Sequence, residues 1–275
     1  MTEFARLDRY LVPGLQRGLQ LLAQFTRATP QLTGAELSRR LKLPRASVFR
    51  ILQTLEYMGF VERQSDNAHY KLSIGVLRLG FEYLASMELT EHGRPVLESL
   101  SSATGLSSHL VVRDGTEVVF IAKALGRASL FNSVQVGARL PAHATVLGRI
   151  LLADLSLPEL KNLYAGQQFA AFTPQTPTTL DQLWQRMEQD RARGYGISQS
   201  GFESGISSIA APVFDGCNKL VAAVSVTIPA SQIEAQQRDE LTAQVMAAAA
   251  RLSQGSSPTA SVKSKVASQL NKAFA

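Results

Sequence analysis

Residues 32–63 read LTGAELSRRLKLPRASVFRILQTLEYMGFVER, and this stretch decides the fold of the chain's front part. Thr33 and Glu36 stand three apart, the spacing of a capping box that opens a helix, and Leu32 and Leu37 occupy the positions of a hydrophobic staple. Leu37 and Leu41 share one face of that helix. Lys42-Leu43-Pro44 interrupts it, because proline fits the first turn of the next helix but not the interior of one. The second helix is predicted over about Arg45–Met58, with Val48, Leu52, Leu55 and Met58 forming its apolar stripe. Gly59 closes it as a C-cap glycine, followed by Phe60. Two short helices joined by a tight turn match the helix-turn-helix, whose second helix enters the DNA major groove.

The outward face of the second helix carries Arg45, Ala46, Ser47, Phe49, Arg50 and Gln53, with Arg39 and Arg40 just upstream. Arginine forks onto guanine or phosphate, Ser47 and Gln53 suit base edges or backbone, and Phe49 suits a thymine methyl. Packing of Phe49 on a neighbouring element is the alternative. Downstream, Phe60-Val61-Glu62, the turn Gln64–Asn67 and His69–Leu72 read as a hairpin, which makes the motif winged. Arg63 and Lys71 flank that wing where phosphates would lie. Upstream, a helix from Gly14 places Leu15, Leu19, Leu22 and Phe25 inward to close a three-helix core, and Thr26–Gln31 reads as a connection.

Charge is distributed accordingly. The 275 residues carry a net charge of +6, and residues 1–80 hold 12 Lys/Arg against 6 Asp/Glu, whereas the remainder balances at 16 of each. A basic head gathers phosphates with salt-dependent affinity; a neutral body has no such footprint. The length fits about two domains. No apolar run approaches a membrane span and the N-terminus lacks a signal-peptide layout, so a cytoplasmic protein with no membrane partner is expected. The single Cys217 excludes an internal disulfide and a multi-cysteine metal site.

Beyond Ser73, an apolar segment at 75–88 reads as a connecting helix that helps two chains dimerise; packing on its own domain alone is the alternative. Thr90 caps a further helix, with Val96, Leu97 and Leu100 inward, ending at Gly105. From Ser107 the period changes to two: strands are predicted at Ser107–Arg113, Glu117–Ala124 and Leu130–Val136. A helix carrying Val146, Leu147, Ile150 and Leu151 begins shortly after Pro141, and Ser156 with Glu159 caps another. Leu180–Arg193 is amphipathic; Tyr195–Gln199, Ile206–Phe214 and Leu220–Thr227 are strands; a final helix spans about Gln232–Leu252. Hairpins flanked by helices, without βαβ repeats, imply an α+β fold with an antiparallel sheet. The tail from 253 to 275 is expected to be disordered.

Two stretches bear on ligand binding. The segment 139–149, RLPAHATVLGR, starts a helix whose free N–H groups suit an anion. The run 194–205, GYGISQSGFESG, precedes Ser207, Ser208, Ser225 and Thr227 on otherwise apolar strands, and Ser225 and Thr227 share a face. Solvent-facing serines are the alternative. The histidines His69, His92, His109 and His143 are scattered without metal or catalytic spacing, and there is no nucleophile elbow or phosphate loop. Neither an enzyme nor a cofactor or metal is expected.

With these residues in view, the sequence resembles the IclR family of transcriptional regulators over roughly residues 12–252. The matching stretches are GLQRGLQLL at 14–22, LPRASVFRILQTLEYMGFVER at 43–63, YKLSIGVLRLG at 70–80, RLPAHATVLGRILLA at 139–153, GFESGISSIAAPVFD at 201–215 and LVAAVSVTIPAS at 220–231. The resemblance implies a winged helix-turn-helix domain at 12–74, a linker and dimerisation helix at 75–88, and a GAF-like effector domain at 89–252. It implies duplex operator DNA and a small-molecule effector, a carboxylate or aromatic catabolite, as partners of a homodimer or tetramer. By motif, the backbone of Val146 and Leu147 would hold an effector carboxylate, with Ser198, Ser208, Ser225 and Thr227 on the polar side of the pocket. Some glyoxylate- and pyruvate-sensing relatives have Gly-Ala at the Val146-Leu147 pair, Asp at Ser198 and Cys at Ser208. These departures favour a different ligand, such as an aromatic acid. A non-catalytic ligand-binding protein whose head contacts other proteins is the rival reading.

Overall fold

The computed structural model describes residues 11–26, 28–66, 68–86, 88–127 and 134–255. Contacts divide the chain between Ser86 and Met87 into two compact units.

The first unit holds helices α1 (Pro13–Leu22), α2 (Gly34–Leu41) and α3 (Arg45–Tyr57), with strands β1 (Gln31–Thr33), β2 (Val61–Arg63) and β3 (His69–Leu72). Thr33 Oγ1 accepts the Glu36 N–H at 3.2 Å, and the Thr33 N–H donates to Glu36 Oε2 at 2.8 Å, so the capping box is closed in both directions. Leu32 and Leu37, the staple pair, are both buried in one cluster with Val48, Leu52 and Leu55. Burying each leucine contributes roughly 1.5–3 kcal/mol before chain entropy is counted. Lys42 takes up the left-handed conformation at the turn between α2 and α3, with φ 53°. At the far end of α3, Gly59 has φ +76°; its N–H donates to Glu56 O at 3.0 Å and that of Phe60 to Leu55 O at 2.8 Å, a complete Schellman closure.

Several expectations for this unit are corrected. Leu15 and Leu19 point outward, at 64% and 47% exposure, while Leu21 and Phe25 fill the core. The leucines run around more than one face of α1, and the neighbouring helices cover the face centred on Leu21. The α3 stripe ends at Leu55, because Met58 is the C-cap residue and lies exposed. The supposed connection before α2 contributes Gln31 to β1, which pairs with β3 and turns the hairpin into a three-stranded sheet of order β1-β3-β2. Three residues are too few for period two to show.

Helix α4 (Gly75–Ser86) follows directly. It starts against the end of α3: a Cβ on Gly75 would lie 2.2 Å from Gly59 O, and Ser73 N–H donates to Phe60 O at 2.9 Å.

The second unit is a six-stranded antiparallel sheet of order β6-β5-β4-β9-β8-β7, formed by β4 (Ser107–Asp114), β5 (Glu117–Ala124), β6 (Arg139–Pro141), β7 (Gly196–Gln199), β8 (Ser207–Phe214) and β9 (Leu220–Ile228). Helices α5 (Glu88–Thr104) and α9 (Ala235–Gln254) pack on the sheet. Val111, Phe120, Ala210 and Ala223 belong to a core shared with α6 (Val146–Leu152), α7 (Leu157–Leu163) and α8 (Leu180–Arg193). Sheet residues therefore alternate between the α5/α9 layer, where Ser108 bonds to Ser101 and Leu97 O, and the α6 layer.

Here too the chain departs from its pattern. Thr90 does not cap a helix, because α5 already contains Glu88. In the expected strand Leu130–Val136, residues 130–133 lie outside the described residues and Val134–Val136 are not extended pairs; the edge strand is β6, anchored where Arg139 bonds Asp114 at 2.6 Å and Glu117 at 2.7 Å. Helix α9 continues to Gln254, past the expected start of the tail, and residues from 256 onward lie outside the described residues. No helix among the described residues is long and apolar enough to cross a membrane.

Candidate nucleic-acid interface and ligand cavity

On α3 the Val48–Leu52–Leu55 stripe fixes the rotation of the helix, and this turns Arg45, Phe49, Arg50 and Gln53 outward. Phe49 is 56% exposed, so packing within its own unit does not account for it. Ser47 is half-buried and, with Arg50, borders an apolar groove formed by Leu15, Leu19, Ile51 and Leu79. Gln53 Nε2 donates to Glu56 Oε2 at 3.1 Å, and Arg39 is exposed near the end of α2. The wing is different. Lys71 Nζ lies 2.7 Å from Glu62, and Arg63 lies 3.6 Å from Glu56 with its guanidinium 5.0 Å from the centre of the Tyr70 ring. Both wing cations thus have carboxylate partners within the unit, and the cations best placed to meet phosphate are those of α2 and α3. Asp66 organises the wing turn: it accepts from the backbone of Ala68 and His69 and from the His69 ring, and these bonds hold its carboxyl down at about 2.

In the second unit, one cavity of about 120 Å³ lies between the sheet and the start of α6. The structure brings Val146, Leu147, Ser198, Ser208, Ser225 and Thr227 together on its wall. Register explains the polar side. Ser198 is opposite Ser208, Ser208 is opposite Thr227, and Ser225 is opposite His109, all on the face turned to α6. Ser207 points away and donates to Ala230 O at 2.7 Å, whereas Ser107 lines the cavity opposite Thr227 while its Oγ accepts from Gly126 N–H at 3.1 Å.

The start of α6 is built by a tight approach. A 3₁₀ turn at Ala142–Ala144 leads to Thr145, whose Oγ1 accepts the Gly148 N–H at 3.1 Å. A Cβ on Gly148 would sit 2.1 Å from Ala142 O, so only glycine lets the turn fold onto the helix. Arg149, next along, is almost fully buried: its Nε donates to Asp190 Oδ2 at 2.7 Å and its Nη2 to Ile197 O at 2.7 Å. This ties α6 to α8 and to the residue preceding Ser198.

Sequence reasoning missed several wall residues. His109 and Phe120 meet edge to face, 5.5 Å between ring centroids, and both line the cavity. Burial, reinforced by the Lys123 charge, pushes the His109 imidazole down to about 4, so it is neutral near pH 7. Strict alternation from Ser107 would have placed His109 on the Ser225 face; a lone histidine among apolar residues gave no reason to look. Phe202 and the exposed Glu203 add to the lining from the glycine-rich run. That run is clasped by Thr173, which donates to Ser200 O at 2.6 Å, and Thr176, which donates to Gly201 O at 2.8 Å, with Phe172 and Phe202 rings 4.8 Å apart. His143, beside Tyr164, Phe169 and Phe172, is instead a packed residue; burial lowers its pKa, and its Nε2 lies 3.1 Å from Ala170 O.

A winged helix-turn-helix unit followed along the chain by an α+β unit that holds a partly open cavity is the architecture of a DNA-binding transcriptional regulator. The chain belongs to the IclR family of transcriptional regulators: residues 14–65 match the IclR helix-turn-helix domain and residues 81–254 the bacterial transcriptional regulator IclR C-terminal domain. It is similar to the HTH-type transcriptional regulator XynR of Escherichia coli (strain K12), 29% identical over 82% of this chain and 89% of that one. It is also similar to the Pca regulon regulatory protein of Pseudomonas putida, 30% identical over 89% of this chain and 84% of that one. A crystal structure of an IclR transcriptional regulator from Alicyclobacillus acidocaldarius superposes with a TM-score of 0.79 at 25% identity, covering 90% of this chain and all of the other.

Proposed function

We propose that this chain is a non-catalytic, cytoplasmic, ligand-responsive regulator that binds duplex operator DNA and controls genes of small-acid or aromatic catabolism. Residues 12–74 form the DNA-binding domain, 75–88 the linker and dimerisation helix, and 89–252 the effector domain. Arg39, Arg45, Ser47, Phe49, Arg50 and Gln53 meet DNA from the two helices, and Arg63 and Lys71 approach phosphate only by giving up their carboxylate partners. The observation that carries the reading is the outward presentation of Arg45, Phe49 and Arg50 by a helix whose opposite face is fully committed to the core.

Two copies are needed. Leu15, Leu19, Leu77 and Leu79 leave apolar surface open on the first unit, which a second copy covers. Two recognition helices then address half-sites about 34 Å apart or a multiple of it. The effector occupies the cavity lined by Val146, Leu147, Ser198, Ser208, Ser225 and Thr227. An apolar wall and a volume close to that of a cavity that accommodates benzene suit a single-ring acid. Coupling of roughly 1–3 kcal/mol between ligand and operator would alter occupancy about 5–150-fold.

Genomic footprinting of the purified full chain tests this. Salt-sensitive protection of pseudo-palindromic sites is expected, and the adjoining genes identify the pathway. Binding without sequence preference, or none, would return the chain to the rival reading, in which the head contacts other proteins.

A further inference from the structure

Among the described residues, a few buried side-chain polar atoms lack a hydrogen-bond partner, and two of them, His109 Nε2 and Ser225 Oγ, line the cavity. Leaving a buried polar atom unpaired costs roughly 1–3 kcal/mol, so two on one wall need a reason. Register makes them neighbours: His109 on β4 stands directly opposite Ser225 on β9, which brings their Cβ atoms to about 4.5–5.5 Å. The other imidazole nitrogen is occupied, since His109 Nδ1 lies 3.4 Å from Thr227 Oγ1.

We propose that His109 and Ser225 together anchor a hydroxyl group of the ligand, so that the cavity selects hydroxylated ring compounds over the same rings without the hydroxyl. This deepens the effector reading and rests on it. The imidazole is neutral, so one nitrogen donates and the other accepts. With Thr227 donating to Nδ1, Nε2–H donates to the ligand oxygen, and the ligand O–H donates to Ser225 Oγ. A hydroxyl gives and takes one hydrogen bond at once and completes this chain. A carboxylate at the same point would be buried without an opposing charge on the wall. The ionisable groups nearby are Glu203, exposed and of the wrong sign, and Lys123, which stands opposite His109 in register but does not line the cavity and donates to Gln135 at 2.7 Å.

The test uses full-length protein with ¹⁵N-labelled histidine and three probes of ring size: phenol, toluene and benzoate. Long-range ¹H–¹⁵N spectra follow the His109 ring, assigned by its loss in His109→Phe. Phenol should shift the His109 nitrogens and bind about tenfold or more tighter than toluene. In Ser225→Ala, and in His109→Phe if its circular dichroism is native, phenol should fall to the level of toluene while toluene binding persists. Equal binding of phenol and toluene in the wild type, with His109 shifted by both, would overturn the anchor and leave the effector cavity standing. Conversion of His109 to imidazolium by benzoate would replace the hydroxyl anchor with an anion site. If no probe moves the His109 resonances up to its solubility limit, the effector cavity falls together with the anchor.

Discussion

The ion pair between Arg149 and Asp190 offers the sharpest test of how the cavity is held. The two side chains are 3% and 1% exposed, and a second cation, Arg193, reaches Asp190 Oδ1 at 2.6 Å from a position 41% exposed. Asp190→Asn keeps the shape but strands the buried Arg149 charge with little beyond the Ile197 carbonyl, so a loss of about 3–5 kcal/mol is expected. Arg149→Met removes the buried cation while Asp190 keeps Arg193. Its cost should be smaller, about 1.5–3 kcal/mol, the range of a hydrogen bond to a charged group. Arg193→Ala touches a half-exposed, solvent-screened partner and should cost no more than about 1 kcal/mol. Urea denaturation followed by tryptophan fluorescence separates these values, because Trp184 is the chain's single tryptophan and sits on α8 beside the same core. It therefore reports the second unit even if the first unfolds independently. If Arg149→Met proved as costly as Asp190→Asn, or if Asp190→Asn cost under 1 kcal/mol, the stranded-charge argument would be wrong.

Arg50→Ala should weaken operator binding by about 1–3 kcal/mol and relax preference at one base pair in a gel-shift titration; equal loss on random DNA would assign the side chain to phosphate. Gly148→Ala forces a methyl against Ala142 O and should unfold the second unit or lower its urea midpoint by several tenths molar or more, read by the same fluorescence. His109 has a folded pKa of about 4 against 6.5 unfolded, so below pH 6.5 the unfolded chain binds the extra proton. Stability should fall by up to about 3 kcal/mol from this group as pH drops from 6.5 to 4, and His109→Phe should remove that share, leaving the same-sign shares of His143 and, near pH 4, of the lowered carboxyls of Glu36, Glu159 and Asp66.

Much of this was legible in the letters because local chemistry decided it. The Thr33/Glu36 box, the Gly59 closure and the alternation through β8 and β9 are each short-range patterns, and all six residues named from family motifs line one cavity. What stayed hidden depends on partners distant in sequence. Leu15 and Leu21 are the same residue type six positions apart, and only the placement of α2 and α3 determines which is covered. Strand β1 exists because β3 offers it a free edge. The Lys71 and Arg63 charges read as available for DNA until folding set Glu62 and Glu56 beside them. His109 looked isolated because its neighbour, Ser225, lies 116 positions further along the chain.

The contact of Gly75 with Gly59 has a mechanical consequence. With no side chain between the first turn of α4 and the closing turn of α3, the joint has almost no slack to absorb a displacement. In the proposed regulator, a roll of α4 would therefore be passed on to α3 rather than absorbed where the two meet. A side chain at position 75 would meet Gly59 O and force the first turn of α4 off the closing turn of α3, so on the proposed reading it should alter DNA affinity itself.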